Sequence, residues 1–340
     1  MSIVDEVRYV YHMSDIHIKN DKEGEGRWDE YKGVFKRVIN EIKGENVVIV
    51  ITGDIFDRYG SHEIDAVRML VNFLEELTKK GEVFMIAGNH DINLGNRKEM
   101  CTLGMVGDMM NIKGLNYLKE SGTYKYKNIS FGVTSIKDND KEFTKPMGEG
   151  IKICLYHGQI KGTGEKYDYD ICPRENLEGY DYVMLGDAHR YKTLGENIAY
   201  AGSLIKQSCK EDWNHGMIKW DLKTGKHQLI EIENDYDFIK IKIVERSKKE
   251  RKNILNKLGK LTKKTNVRLD FVEINGIEIQ RIISEIKKIK NVESVTTKIK
   301  KELVLTNHLG EIYRDIDYDI TDLSNQKKLM RKYLEGNNIE

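Results

Sequence analysis

The sequence predicts an α/β fold in which two sheets pack face to face, flanked by helices, with a smaller βαβαβ domain and a C-terminal helix behind them. Three observations predict it. Up to Gly114, apolar runs of strand length alternate with segments of helical periodicity, the pattern of helices layered on a sheet. Past Gly114 the pattern turns to a succession of shorter strands. Beyond residue 236, strand and helix patterns alternate again, in a stretch whose charge differs sharply from everything before it. The chain has 340 residues, enough for roughly two domains that each bury a core.

In order, Tyr9 to Met13 is an apolar strand, and Arg27 to Lys43 repeats Val34, Val38, Ile39 and Ile42 at helical spacing. Val47 to Thr52 is the next strand. Ser61 is placed to cap a second helix with Ile64, Val67, Leu70, Val71, Leu74 and Leu77 along one face, and Gly81 closes it before the strand Val83 to Ala87. Tyr124 to Tyr126, Ser130 to Thr134, Ile151 to Tyr156 and Tyr182 to Gly186 follow as strands, then Ala199 to Leu204, Met217 to Leu222 and Gln228 to Ile232. The acidic, turn-prone run from Glu233 to Asp237 marks a boundary, giving a first domain over 1–236, a second over 237–301 and a linker with a C-terminal helix over 302–340. In the second domain Phe238 to Val244, Asn266 to Val272 and Val292 to Ile299 are strands and Ser247 to Leu261 a helix. The other helix, Ile277 to Ile289, has Ile279, Ile282, Ile283, Ile286 and Ile289 on one face. Asp322 to Glu335 is a short amphipathic helix, marginal alone and therefore expected to dock on its own chain or on a partner.

Hydrophobic residues at 39% and charged residues at 33% describe a soluble globular protein. No apolar run approaches the roughly 18 residues of a membrane span, and Met1 to Val10 has no signal-peptide pattern. The expectation is a protein free of membranes and cytoplasmic, at a nucleoid or viral replication site included. Cys101, Cys154, Cys172 and Cys209 lack the close paired spacing of zinc clusters or disulfide frameworks and read as reduced thiols. The net charge of +1 hides an asymmetry: residues 241–300 hold 17 Lys or Arg against 7 Asp or Glu, a net +10, so the other 280 residues sum to −9. A basic domain beside an acidic one suits a polyanionic partner, although a solvated helical surface would carry such charge as well.

The candidate chemistry sits where strands end. Asp15 and His17 follow the first strand, Asp54 and Asp57 the second, and Asn89, His90 and Asp91 the third. His157 ends the run that begins at Ile151, and Asp187 and His189 follow Tyr182 to Gly186. Strands that carry polar residues only at their last positions deliver them to one edge of a sheet, where loops form a crevice. Singly, each motif has a plain reading as a turn or a satisfied histidine, Gly88-Asn89-His90-Asp91 being the sharpest because three polar groups follow a glycine in an unbroken run; five in this order converge on a dinuclear metal site. Two divalent cations about 3.5 to 4 Å apart need one bridging carboxylate with imidazole, carboxylate and amide ligands around it. Asp54 is the natural bridge, with Asp15, His17 and His189 for one ion and Asn89, His157 and Asp187 for the other.

These residues resemble the calcineurin-like metallophosphoesterase superfamily, and within it the SbcD-type nuclease subunits of DNA double-strand-break repair, phage recombination endonuclease subunits included. The likeness runs from Asp15 to His189 and continues through Tyr200-Ala201-Gly202-Ser203-Leu204 and His215-Gly216. The basic βαβαβ domain stands in the place of that branch's DNA-capping domain. The resemblance implies a two-sheet metallophosphoesterase sandwich and two divalent metal ions, Mn2+ foremost and Mg2+ as the substitute. It also implies a metal-bridging hydroxide that attacks a phosphodiester, with 3′–5′ exonuclease and single-strand endonuclease activity on DNA. His90 matches the family's catalytic histidine, with Asp91 or Asp57 as the carboxylate that orients it and Arg58 beside them. An SbcC-type coiled-coil ATPase is the implied partner, with Asp322 to Glu335 as its docking element, and the helices flanking Asp54 suggest a homodimer. Asp187 stands where many relatives have His, which favours a hard cation. Asp57 stands where some have His, which leaves the balance of exonuclease and endonuclease action open.

Two other functions fit the same residues. Gly53-Asp54-Ile55-Phe56-Asp57-Arg58 partly resembles the phosphate-binding motif of metal-dependent protein phosphatases of the same superfamily, although Asp91 stands where those have Glu. A non-catalytic DNA-end-binding scaffold is the third reading, against which the complete ligand set speaks.

Overall fold

The computed structural model describes residues 6–20, 27–138, 142–162, 171–243, 248–272 and 276–300. The predicted linker and C-terminal helix, Asp322 to Glu335 included, lie outside the described residues. The chain divides into two compact units, Met1–Phe238 and Ile239–Glu340.

In the first unit, β1 (Tyr9–Met13), β2 (Val47–Thr52), β3 (Glu82–Ile86) and β4 (Leu115–Tyr117) run parallel in that spatial order. The second sheet is built on β6 (Ile129–Thr134), β7 (Ile151–His157), β8 (Tyr182–Gly186) and β10 (Ile198–Tyr200), also mutually parallel. Its edges are β5 (Gly122–Tyr126) and β9 (Lys192–Thr193), both antiparallel to their neighbours. The chain then crosses back: β11 (Gly216–Asp221) pairs antiparallel with β1 and forms a hairpin with β12 (Lys226–Glu231), which completes the first sheet at six strands. The sequence predicts the strands of this hairpin but carries no sign of which sheet they join.

Strand periodicity makes the layers. On β1 and β2, Tyr11, Met13, Ile49 and Ile51 point toward the helices, while Val10, Val48 and Val50 point toward the second sheet, where Phe131, Val133, Ile153, Leu155 and Met184 meet them. All six residues of β2 are buried, as a parallel strand covered on both faces requires. Each fully buried Val or Ile contributes about 1.5 to 3 kcal/mol relative to exposure.

Two helices cover the first sheet. α1 (Trp28–Glu41) buries Tyr31, Val34, Phe35 and Val38. It begins at Arg27, which is buried and ion-paired with the equally buried Glu30 at 2.5 Å. α2 (Ile64–Thr78) buries Ala66, Met69, Leu70, Val71, Phe73, Leu74 and Leu77, and the Phe35 and Phe73 rings stack 3.9 Å apart to join the helices. Two expectations about α2 need correction. Ser61 does not cap it: the helix starts after Glu63, whose N–H is taken by Asn20 Oδ1 at 2.8 Å while Asn20 Nδ2 donates to the Ser61 carbonyl at 3.1 Å. Ile64 is 85% exposed, at the first position of the helix and two residues ahead of Ala66, where the buried stripe begins. Gly81 closes the segment as predicted; a Cβ there would lie 2.3 Å from the Val47 carbonyl oxygen. A single helical turn, Thr102–Gly104, runs into a π-helical turn at Met105–Met109 that the periodicity did not reveal.

The strand β13 (Tyr236–Ile243) leads into the second unit and heads a three-stranded sheet in the order β13, β14 (Lys264–Val272), β15 (Val292–Lys300), with β14 and β15 parallel. α3 (Lys248–Leu258) and α4 (Gly276–Ile286) connect them, and Ile243, Leu258, Val267, Leu269, Phe271, Ile279 and Ile286 form its core. Among the described residues no helix is long and apolar enough to cross a membrane.

His12 is the polar exception on the inner face of β1. It is fully buried, its Nε2 lies 2.8 Å from the Thr52 hydroxyl, and its Nδ1 has no hydrogen-bond partner among the described residues. Burial depresses its pKa from 6.5 to about 3, with His227 adding to the effect. The unfolded chain therefore binds this proton first, so the stability that comes from keeping the ring neutral is present above pH 6.5 and lost as the pH falls toward 3. Between pH 6.5 and 5 the loss is about 2 kcal/mol. In urea unfolding at pH 7 and pH 5, the wild type should lose about 2 kcal/mol more than His12→Leu; equal losses would refute this assignment.

Candidate metal centre

The loops after β1 and β2 stay paired beyond the strands. Asp15 N donates to the Gly53 carbonyl at 3.1 Å, His17 N to that of Asp54 at 3.0 Å, and Ile18 N to that of Ile55 at 2.8 Å. This zipper holds Asp15, His17 and Asp54 against one another, at the cost of left-handed backbone: φ is +50° at Asp15, +51° at His17, +50° at Asp54 and +97° at Asp187. Half of the eight non-glycine residues with positive φ among the described residues are thus predicted ligands, the concentration of strain expected at a functional site. Two glycines permit the closeness. A Cβ at Gly88 would lie 2.1 Å from Asp54 Oδ1, and one at Gly186 would lie 2.1 Å from the Thr52 carbonyl oxygen.

All seven predicted ligands lie at this edge. Asp54 faces both sets, with Oδ2 3.7 Å from His17 Nε2 and Oδ1 3.3 Å from His157 Nε2. On one side His17 Nε2 and His189 Nε2 are 3.0 Å apart, with Asp15 Oδ1 3.9 Å from His17 Nε2. On the other, His157 Nε2 lies 3.0 Å from Asn89 Oδ1 and 3.9 Å from Asp187 Oδ1. The main-chain N–H of Asp187 donates to Asp15 Oδ2 at 3.2 Å, so the two sets are joined a second time.

The far sides of two imidazoles fix which nitrogen is free. His157 Nδ1 is 2.7 Å from the Thr52 carbonyl oxygen, and His189 Nδ1 is 2.9 Å from Glu211 Oε1. Both partners only accept, so both Nδ1 atoms carry hydrogen, and in the neutral rings both Nε2 lone pairs face the centre. Asp15 Oδ1 is buried there with no hydrogen-bond partner among the described residues. A buried carboxylate oxygen without a donor and facing imidazole lone pairs are what a cation would satisfy. The donors are oxygen and imidazole with no thiolate, which suits a hard or borderline divalent ion. The residues present therefore fit two such ions.

Burial and mutual charge perturb these groups strongly. Burial would raise Asp54, but the His157, His17 and His90 rings outweigh it and hold its carboxyl well below the usual range. Burial pushes Asp15 up to about 6, opposed by His157 and reinforced by the Asp54 charge. Burial drives His17 down to about 3, whereas at His157 the charges of Asp54, Asp15 and Asp187 overcome burial and raise it well above 6.5.

His90 borders the same centre. Its N–H donates to Asp54 Oδ1 at 2.9 Å, its ring meets His17 edge-on at 4.9 Å, and its Nδ1 sits against the Asp57 main-chain oxygen. The expected carboxylate orienter is corrected here: the partner is the carbonyl of Asp57, not the carboxylate of Asp57 or Asp91. The Asp91 carboxylate is buried and accepts from Phe56 N at 2.9 Å, Gly88 N at 2.9 Å and Ile55 N at 3.0 Å, which staples the loops after β2 and β3 together. Burial and the Asp54 charge raise it to about 7 against the pull of those donors. The Asp57 carboxylate pairs with Lys19 at 3.4 Å and with Arg58 at 4.0 Å, and Arg58 is turned to solvent.

An open cleft of about 1070 Å³ leads from Asp54, Asn89, His157, Asp187 and His189 past Tyr156 and Phe143 on one side and Arg190 and Trp213 on another. Sequence reasoning missed the loop 203–215. Glu211 reads as one acid in a polar surface stretch, and nothing in its neighbours marks it; in the fold it is 4% exposed and bound to a predicted ligand.

Comparison with known proteins agrees with this geometry. A family model described as calcineurin-like phosphoesterase matches residues 9–191, a span that holds every residue from Asp15 to His189 discussed above. The chain is 33% identical over 357 residues to uncharacterized protein R555 of Acanthamoeba polyphaga mimivirus, across 98% of this chain and 25% of that protein. It is 21% identical over 199 residues to "Putative phosphoesterase 244L" of Invertebrate iridescent virus 6, across 53% of this chain and 66% of that protein. The chain thus covers a quarter of the first relative's length and under two thirds of the second's.

Asp91→Ala would leave three buried N–H groups without an acceptor, so it should cost about 3 kcal/mol or more of stability by urea unfolding. A change below about 1 kcal/mol would mean that the two loops hold without the staple.

Proposed function

The chain belongs to the calcineurin-like phosphoesterase family, and from that premise we propose that it is a Mn2+-dependent DNA nuclease, the 3′–5′ exonuclease and single-strand endonuclease subunit of a repair or recombination complex. The observation that carries the choice of DNA over other phosphoesters is the net +10 on residues 241–300 in the same chain as the metal donor set. Clustered Lys and Arg neutralise backbone phosphates and release counterions, which favours a nucleic acid over an isolated phosphoamino acid. The open cleft beside the donor set gives room for a chain rather than a single phosphate.

Bound divalent cations supply Lewis acidity and an activated water at neutral pH. Asp54, with one oxygen toward each ligand set, would help hold an ion in either set. The buried Asp15, His17 and His157 keep bulk water from the donors on the protein side. His90 would supply the proton as an imidazolium: the Asp57 carbonyl accepts from Nδ1–H, so Nε2–H is the proton left for a departing sugar oxygen, and the neutral ring then regains a proton from water. We also propose a homodimer through the helices flanking Asp54. The proposed partner is an SbcC-type coiled-coil ATPase, reached through residues 322–335.

The test is hydrolysis of 3′-labelled and 5′-labelled duplex DNA, single-stranded circles and a phosphopeptide, each with Mn2+, Mg2+ or EDTA. Mn2+-dependent cleavage of DNA is expected, reduced about 10²- to 10⁴-fold in His90→Ala with DNA binding retained. Turnover of phosphopeptide without DNA cleavage would establish the phosphatase instead, and tight DNA binding without cleavage, with the ATPase present, would establish the scaffold. Deleting the residues after Thr321 should abolish co-purification with the ATPase; a surviving complex would overturn that partner site.

A further inference from the structure

We propose that Glu211 is a positioning residue that makes Asp15, His17 and His189 the tighter of the two metal positions. The proposal rests on the family's divalent-metal chemistry and not on DNA as substrate.

The loop 203–215 is built around one metal position only. Three donors converge on the His189 carbonyl oxygen: Ser203 N at 2.9 Å, Ser203 Oγ at 3.2 Å and Trp213 Nε1 at 3.0 Å. Glu211 Oε1 takes the His189 ring from the side, at 2.9 Å from Nδ1. Glu211 Oε2 accepts from Gln207 N at 2.7 Å and lies 3.9 Å from His215 Nε2, so the carboxylate is itself held. Gln207 Nε2 then donates at 3.1 Å to the carbonyl of Ile16, the residue between Asp15 and His17, and Ser203 bridges to Ser14. The contacts named go to His189, to Glu211 behind it, or to the main chain at Ser14 and Ile16 beside Asp15 and His17; none is made to Asn89, His157 or Asp187.

The two outward imidazole contacts differ in chemistry. His157 rests on a neutral carbonyl, whereas His189 rests on an anion that is only 4% exposed. A carboxylate behind a metal-binding histidine fixes the ring and raises the basicity of the other nitrogen, and removing such a partner costs about 10- to 100-fold in metal affinity. Each position has one carboxylate of its own, Asp15 at the first and Asp187 at the second. The first has Glu211 in addition, one residue outward, where it orients as well as charges the ligand.

The experiment is calorimetric titration of the EDTA-stripped full-length protein with Mn2+ alone, with thermal unfolding of the metal-free protein as the fold control. The wild type should bind two equivalents in unequal steps, and Asn89→Ala should lower the weaker one. Glu211→Gln is nearly isosteric, keeps an acceptor for the His189 ring and removes the charge; it should weaken the tighter step about 10- to 100-fold and leave the other within about twofold. Glu211→Ala should do at least as much. Equal wild-type steps, an unmoved tight step in Glu211→Gln, or both steps falling together with a lowered thermal midpoint would each overturn the proposal. Wild-type Mn2+ binding of this form without DNA cleavage would instead count against the nuclease reading alone.

Discussion

The carbonyl oxygen of Thr52 is the point on which the first unit turns. It ends β2, the most deeply covered strand of one sheet, and accepts from the Ser14 hydroxyl at 3.0 Å and from the ring of His157 at 2.7 Å, the last residue of β7 in the other. One acceptor therefore ties two sheets and three strand ends together. It also sets the tautomer of His157, so a main-chain atom that belongs to the fold decides which imidazole nitrogen faces the metal position. The tolerance is small, because a Cβ on Gly186 would fall within 2.1 Å of that oxygen.

Around this point the molecule concentrates costs that an ordinary loop would avoid. Left-handed backbone at four predicted ligands and a carboxylate raised to about 6 by burial are each unfavourable alone. They persist because the surroundings over-determine them: the main-chain zipper between the loops after β1 and β2, the Asp91 staple between the loops after β2 and β3, and the 203–215 loop beneath His189. Rigidity here serves function, since ligands pre-set by neighbouring hydrogen bonds need not reorganise when an ion or a phosphate arrives.

Read against the sequence, the strand ends were the legible part. An apolar run that stops at Asp, His or Asn states both where a strand ends and that its last residues are polar, and parallel strands send those ends to one edge, which is where Asp15, His17, Asp54, Asn89, His157, Asp187 and His189 lie together. Helix α2 was legible as a stripe and illegible as a cap, because the group that takes the N–H of Glu63, the residue before the helix, is Asn20, more than forty residues away. Asp91 was singled out for its neighbours His90 and Asn89, yet its carboxylate turns inward to three N–H groups, a direction that adjacency cannot reveal.

The sequence by itself determined the alternation of elements, the polar residues at the strand ends and the charge contrast between residues 241–300 and the rest, because periodicity, residue type and charge are local properties. Only the tertiary structure decided that β11 and β12 return to the first sheet, that the Asp57 carbonyl holds His90, and that Glu211 stands behind His189. Each of these is a contact between segments distant along the chain or through a main-chain atom. Neither kind of contact leaves a mark on residue identity, so packing alone assigns it.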